Sequence, residues 1–415
     1  MRHRRRPVWP VLVTLALIGC QHPGGLGVSP IGQPIVGPTD SPPSGTNPGD
    51  RDVQSPTPAP VPTTPGVYRI EAFFGNGDVG SNGDGGLAVD AQIHQPSSLI
   101  EGPDGRVYVS DYGLWMVRSV NLATGIAHHV YGINEPADAS ESVKAAEAPV
   151  ARPEGLAFDS RGRLFVAQNG FPGGVPGKIR MIDAVGNTYT FAGGGAAPAT
   201  DGAYALDVAL SNPAGLVIDA QDNVYLAENG ANRILKIDPD RQVTVIAGTG
   251  EMGYSGDGGP AAQAKLFWPQ GLALDPQGRL VFADEGNHRI RRIEKDGTVS
   301  TIAGSGRLGF SGDGGPATEA DLNGPGAIAF DPVGNLIIAD SNNNRVRRVM
   351  PDGIIQTLAG HLPATEEDVL SGDGDGGPAL EATLDYPYGL HVDAEGVIYF
   401  SDRGNRRVRV LRPVP

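Results

Sequence analysis

From residue 96 onward one pattern recurs six times, and that periodicity constrains the chain more than any other property. Its anchor prolines are Pro96, Pro153, Pro213, Pro269, Pro325 and Pro387, at spacings of 57, 60, 56, 56 and 62 residues. A near-constant period of this size reads as a propeller or a solenoid, because each unit is too small to bury its own apolar face and must stack on its neighbours. In the clearest copy, GLALD, RLVFAD, RIRRIE and TVSTIAG are four short runs rich in Val, Ile, Leu and Thr. The turn sequences DPQG and EKDG separate the first run from the second and the third from the fourth. No segment carries a sustained helical period, although PAAQAKL, with Pro260 at its start, suits one or two helical turns. Four antiparallel strands per unit, six times over, predict an all-β, six-bladed β-propeller.

The two ends sharpen this expectation. The sixth unit stops after its third strand, in RVRVLRPVP. The missing fourth strand lies at the other end of the repeat region, where IEAFFGNGDVGSNGDGG (70–86) aligns without gaps on VSTIAGSGRLGFSGDGG (299–315). An N-terminal strand is therefore expected to complete the last blade and close the ring, which removes the free edges of an open sheet. This places the propeller at residues 66–415.

The pattern GLAxDxxGxLxxADxxNxRIRRI is nearly intact at 271–293 and 327–349 and recognisable at 389–410. It resembles the NHL family of repeats, and the SGDGGPA connector is similar to that of a bacterial subset of the family. The resemblance implies a six-bladed propeller. It leaves function open among binding platforms, sensors and a few enzymes.

The first residues are of another kind. MRHRRR is followed by an apolar run too short to span a bilayer, and the run ends at Cys20, the single cysteine of the chain. This resembles a bacterial lipoprotein signal. The resemblance implies cleavage after residue 19, lipidation of Cys20 and, with Gln21 following, an outer-membrane destination in the cell envelope. Residues 20–65 carry the lipidated cysteine and a Pro/Gly/Ser/Thr-rich tether with too few apolar residues to build a core. The formal net charge is −15, and loss of the leader's arginines makes it more negative. Such a surface repels phosphate backbones and anionic headgroups, so nucleic acid is excluded as a partner and membrane contact is expected only through the lipid on Cys20.

The Gly/Asp-rich connector at SGDGGPA raises the question of chemistry. A phosphate loop requires Lys and Ser/Thr after its last glycine, where Pro260 and Ala261 stand. Asp373 and Asp375 begin like a calcium loop, but its twelfth position is Leu384 in place of a bidentate Glu. The connector thus reads as scaffold whose Asp257, Asp313 and Asp373 accept from their own turn. Asp373 and Asp375, with Glu366, Glu367 and Asp368 upstream, are the weak candidates for a cation. Asp284, Asp340 and Asp402 end second strands, each with an Arg five residues on (Arg289, Arg345, Arg407), which reads as turn capping with a local ion pair.

Function is expected where the repeats disagree, on the loop-rich face beside the channel. The positions flanking the anchor prolines supply the ligand-binding candidates: His94, Gln95, Arg152, Glu154, Asn212, Phe267, Trp268, Gln270, Asn323, Asp385, Tyr386 and Tyr388. Aromatics beside amides, a carboxylate and an Arg suit a protein, peptide or carbohydrate ligand. The insertion at 169–178 is placed to overhang this mouth. The leading expectation is a binding or scaffold module without cofactor. A calcium-dependent lactonase- or esterase-like hydrolase, with Glu154, Asn212, Asn323 and Asp385 around a channel calcium, is the alternative, and an envelope sensor or assembly factor is the third. The scattered histidines argue against a zinc lyase.

Overall fold

The computed structural model describes residues 68–135, 137–170, 174–361 and 373–414. The leader, Cys20 and the tether lie outside the described residues, as do Glu366, Glu367 and Asp368. The repeat region forms six antiparallel sheets arranged as the blades of a propeller. Blade 1 spans 96–131, blade 2 spans 153–193, blade 3 spans 213–247, blade 4 spans 269–303 and blade 5 spans 325–359. Blade 6 contains Pro387–Val392, Ile398–Asp402 and Arg407–Pro413, and its outermost strand is Tyr68–Phe74. Tyr68 pairs with Pro413 and Ile70 with Leu411, so the ring closes as the sequence predicts. Blade 2 departs from four strands by adding Val143–Lys144 outside its fourth.

Alternation explains the strands. Each has one set of side chains turned into the layer between adjacent blades, and the apolar clusters lie there, for instance Ile337, Ala339, Leu390, Phe400 and Ile70 between blades 5 and 6. At the centre the inner strands approach too closely for side chains. A Cβ on Gly155 would lie 2.2 Å from the carbonyl oxygen of Ala214, and one on Gly215 would lie 2.2 Å from that of Gln270. In four of the six blades the residue two after the anchor proline, Gly155, Gly215, Gly271 and Gly389, is glycine because the next inner strand leaves no space for a Cβ.

The connectors have a function that the sequence left open. After leaving blade 3, the SGDGGP segment runs along the outer edge of blade 4: Gly258 donates to the Val299 carbonyl at 2.8 Å and Val299 donates to that of Gly259 at 3.0 Å. The same docking recurs at Ile355 of blade 5 (Gly314) and at Ile70 of blade 6 (Gly376 and Gly377). Each otherwise open edge is thus covered by the preceding connector. The predicted helical turn is a 3-10 turn at Ala261–Gln263 with Pro260 before it.

Two expectations about the acidic residues are corrected. The connector Asp does not cap its own turn. Asp257 accepts from Arg291 at 2.7 Å and Asp313 from Arg347 at 2.7 Å, both in the third strand of the next blade. In the last connector the equivalent residue is Asp375 rather than Asp373, paired with Arg409 at 2.8 Å. The strand-ending acids likewise pair with the Arg seven residues on: Asp284–Arg291 at 3.2 Å, Asp340–Arg347 at 3.5 Å and Asp402–Arg409 at 3.2 Å. Arg289 and Arg291 share one face of the strand, but Arg289 stands directly opposite Asp284 near the strand end, whereas Arg291, one step further in, is fully buried and reaches the acid diagonally. Arg289 and Arg345 instead donate to nearby carbonyls and lie over the rings of Tyr254 and Phe310. Blade 3 keeps the plus-five pair, Glu228–Arg233, where Leu235 stands in place of the buried Arg.

The buried guanidiniums at this position take most of their hydrogen bonds from protein, although Arg347 Nε is left without a partner among the described residues. Arg347 reaches two carboxylates and the carbonyls of Ser311 and Asp321. Such satisfaction offsets the desolvation of a buried charge. Burial works against the ionisation of Asp257, but hydrogen bonds from Thr301 and Arg291, with the charge of Arg291, hold its carboxyl below the ordinary range.

Candidate functional site

Two rings of repeat positions meet at the channel mouth. In every blade a bulge follows the anchor proline, turning the next residue out of the ladder toward the axis. That ring is Ser97, Glu154, Ala214, Gln270, Gly326 and Tyr388. The second ring is the residue after the end of each second strand: Tyr112, Asn169, Asn229, Glu285, Ser341 and Arg403.

Three members of the first ring form a plug. Glu154 accepts from Gln270 Nε2 at 2.5 Å and from the Tyr388 hydroxyl at 2.8 Å on one oxygen, and from Asn169 Nδ2 at 2.9 Å on the other. Gln270 also donates to the Tyr388 oxygen, and its own carbonyl accepts from Asn229 at 2.8 Å. Burial, followed by the charges of Glu154 and Glu285, raises the Tyr388 hydroxyl well above its ordinary value, so it stays a donor. Gly326 is required here because a Cβ would stand 2.9 Å from the Tyr388 ring.

Beneath the plug lies a cavity of about 420 Å³ lined by Leu99, Leu156, Leu216, Leu272, Ile328 and Leu390. His391 stands on its wall. Its imidazole is held neutral by burial, with a pKa of about 4, and its Nε2 is 3.7 Å from Glu101.

Above the plug the mouth is aromatic and charged. Tyr386 stacks on Tyr388 with centroids 5.7 Å apart and planes 16° apart. Arg403 lies 4.8 Å over Tyr388 and 5.2 Å over Tyr112, and Arg152 lies 5.7 Å over Tyr112. From blade 4, Glu285 faces the same space; burial and then the negative charge of Glu154 raise its pKa to about 8, against the pull of Arg403. Burial, then the nearby Glu285, pushes the Tyr386 hydroxyl up to about 12.

The backbone at this rim is unusual. The residue before the anchor proline is left-handed in five blades: Arg152, Asn212, Trp268, Gly324 and Tyr386 have φ between 46° and 58°. Four are not glycine, in a conformation that a bulky residue adopts only under constraint. The constraint is supplied by neighbouring blades: Trp268 N–H donates to Asn232 Oδ1 at 3.1 Å and Tyr386 N–H to Asn344 Oδ1 at 2.8 Å.

The sequence candidates therefore divide. Glu154, Gln270 and Tyr388 come together in the plug, with Arg152 and Tyr386 above it, and Gln95 accepts from Arg403 at 3.4 Å. Trp268 is half exposed and packs against Phe267 with centroids 4.6 Å apart. Asn212 is exposed on the rim. His94, Phe267 and Asp385 turn away, each packed over the glycine of its own blade's turn, at Gly113, Gly286 and Gly404. Asn323 binds Asp340 through its N–H at 2.8 Å. The four residues expected around a channel calcium do not form one donor set, since Glu154 already has three donors and Asp385 sits over Gly404. Among the described residues no group of three or more His, Cys, Asp or Glu is gathered to hold a metal. Asp375 is engaged by Arg409 and Arg407.

The sequence reading missed Tyr112, Asn169, Asn229, Glu285 and Arg403. A signal was present: the position after the strand-ending acid differs in all six repeats except for the Asn shared by blades 2 and 3, while its neighbours hardly vary.

Comparison with known proteins agrees with this architecture. The family model for the teneurin NHL domain matches residues 235–311. Human teneurin-1 is 26% identical over 383 residues, covering 82% of this chain but only 13% of its own length. Among solved structures, an auxiliary nutrient binding protein from Bacteroides ovatus superposes with a TM-score of 0.60 at 15% identity, covering 84% of this chain and 78% of its own. A putative gluconolactonase superposes with a TM-score of 0.50 at 12% identity, covering 85% and 93%. At these identities the structural likenesses establish the fold.

Proposed function

We propose, on the premise that this chain is an NHL-type six-bladed β-propeller, that it is a binding module whose ligand, a protein, peptide or carbohydrate, is received at the mouth above the plug. One observation carries this reading. The positions at which the six repeats differ converge on one preorganised surface, where stacked Tyr386 and Tyr388, Tyr112, Arg152 and Arg403 present aromatic and cationic groups. Aromatic and Arg side chains of this kind dominate recognition surfaces, and fixing them beforehand reduces the ordering cost of association.

A calcium-dependent hydrolase is the weaker reading. The carboxylate best placed for a channel metal, Glu154, has its oxygens taken by Gln270, Tyr388 and Asn169. The proposal extends to location: Cys20 as a lipidated terminus would anchor the propeller through a long tether in the cell envelope. Sensing or assembly there remains compatible with a binding mouth.

The test is calorimetry of the mature chain against peptide and oligosaccharide panels, with Trp268→Ala and Tyr386→Ala as variants. Loss of binding in Tyr386→Ala at an unchanged melting temperature supports the mouth. Undiminished binding in both variants would relocate the ligand site.

A further inference from the structure

The mouth has opposite charges on opposite sides, and this says more about the ligand than its aromatic content does. Tyr112 belongs to blade 1 and Glu285 to blade 4, which are diametrically opposed in a six-bladed ring. Around Tyr112 stand two guanidinium groups, Arg403 from blade 6 and Arg152 at the entry to blade 2, both over its ring. Across the axis stands one carboxylate. Glu285 accepts no side-chain hydrogen bond among the described residues and has no ion pair there, whereas Glu154 beneath it is saturated.

The placement of Glu285 is built in by the fold. It occupies the repeat position from which Asn169 and Asn229 reach Glu154 and Gln270, so the backbone aims this position at the axis. It heads the short turn Glu285–Asn287 after Asp284, whose end is fixed by His288, and His288 Nδ1 in turn accepts from Gly324 N–H at 3.0 Å. Gly324 of the neighbouring blade stands beside it, held as glycine by Asn342, whose Nδ2 a Cβ there would meet at 2.3 Å.

A half-buried carboxylate without a side-chain donor is unfavourable to ionise, and a fold that retains one at a channel mouth supplies a place for a cation or strong donor from outside. The aromatic faces of Tyr386 and Tyr388 beside it suit an ammonium group. The paired guanidiniums opposite suit a carboxylate. We infer that the mouth recognises a small zwitterion, a free amino acid or a short peptide with both termini free, whose ammonium lies at Glu285 against Tyr386 and whose carboxylate faces Arg403 and Arg152. This rests on the reading of the mouth as the ligand site and narrows it to one chemical class.

The groups facing Glu285 agree with this assignment. Glu154 opposes its ionisation, Arg403 favours it, and Tyr386 and Tyr388 remain protonated beside it. In the empty mouth Glu285 therefore holds its proton near neutral pH. An arriving ammonium favours the carboxylate, so binding at pH 7 releases up to one proton to solvent.

The experiment is isothermal titration of the mature chain at pH 7 with alanine, dialanine and trialanine, each also as the N-acetyl and the C-terminal amide derivative. The titrations are repeated in two buffers of different ionisation enthalpy. At least one free zwitterion should bind, with either cap weakening it roughly ten- to hundred-fold, as expected for loss of a charged hydrogen-bonding partner. Proton release should appear as a buffer-dependent heat. Glu285→Gln should abolish the preference for a free amine while keeping that for a free carboxylate, and Arg403→Gln should do the converse. If doubly capped peptides or oligosaccharides bind at the mouth and the free zwitterions do not, the zwitterion assignment is wrong while the mouth remains the ligand site. If zwitterions bind and Glu285→Gln retains the full preference for a free amine, the carboxylate role is wrong. If Tyr386→Ala leaves every titration unchanged, the mouth itself is wrong.

Discussion

Deleting residues 68–74 should destroy the propeller as a monomer. This strand belongs to blade 6 although it lies more than three hundred residues from its partner, Arg407–Pro413. Three of its side chains are essentially removed from solvent: Tyr68 at 3%, Ile70 at 0% and Phe74 at 1%. Full burial of a large apolar side chain is worth about 1.5–3 kcal/mol, so the three together contribute roughly 5–9 kcal/mol before any ladder hydrogen bond is counted. That is comparable to the whole stability of a typical domain, about 5–15 kcal/mol. The deletion also bares the edge of Arg407–Pro413 and the apolar layer holding Phe400 and Leu411, which is a template for pairing with a second molecule. Differential scanning calorimetry should show loss or a large downward shift of the main transition, and light scattering should show oligomers. Adding the peptide YRIEAFF in excess should partly restore the transition. A deleted chain that stays monomeric and melts at the parental temperature would refute the closure argument, and with it the assignment of this strand to the sixth blade.

Other consequences can be checked in the same preparations. Trp268→Gly should lower the melting temperature only modestly, because relief of φ 51°, a cost of order 1 kcal/mol, partly offsets the loss of the half-buried indole's packing on Phe267; a fall of about ten degrees or more would show that the left-handed backbone carries no strain to relieve. Asp340→Ala should cost about 3–5 kcal/mol by leaving the buried Arg347 with one carboxylate fewer, whereas Asp313→Asn, at a half-exposed partner, should cost well under half as much in chemical denaturation. Glu285→Gln should stabilise at alkaline pH. A carboxyl whose folded pKa is raised from its ordinary value of 4.5 to about 8 has no effect below pH 4.5 and penalises the fold increasingly as pH rises to 8. The variant should therefore equal the parent at pH 4 and exceed it by a few kcal/mol at pH 9, in melts across that range; equality at both would show Glu285 to be solvated.

The blade count and ring closure were legible because they are written as repetition: six prolines at constant spacing, and a terminal segment that aligns with the strand missing at the other end. Chemistry local to one strand was legible too, such as Glu154 and Gln270 after their prolines. The ion pairs were misassigned because spacing along the chain does not say which of two residues on one face of a strand is buried. Arg289 and Arg291 both lie over Tyr254, yet Arg291 is fully buried and reaches Asp284 and Asp257, while Arg289 donates to the carbonyls of Asn287 and Ser305. The docking of each connector on the next blade's outer edge was hidden because its ladder pairs distant segments through backbone atoms, which carry no sequence signature. Glu285 and Arg403 were passed over because each sits in a turn after a strand-ending acid, where polar residues are ordinary. Their importance comes from facing one axis, which only the closed ring supplies.

The closing strand sets Tyr68 beside Pro413, so the two ends of the repeat region are adjacent in space. No blade is then privileged as the place where the polypeptide must begin. Joining the ends and opening the chain at the exposed Gly278 turn of blade 4, or the Gly334 turn of blade 5, would preserve all strand pairings and all connector dockings. A circularly permuted protein of this kind would differ from the natural one only in which blade is sewn shut last. The latch would move around the ring while the mouth kept its shape.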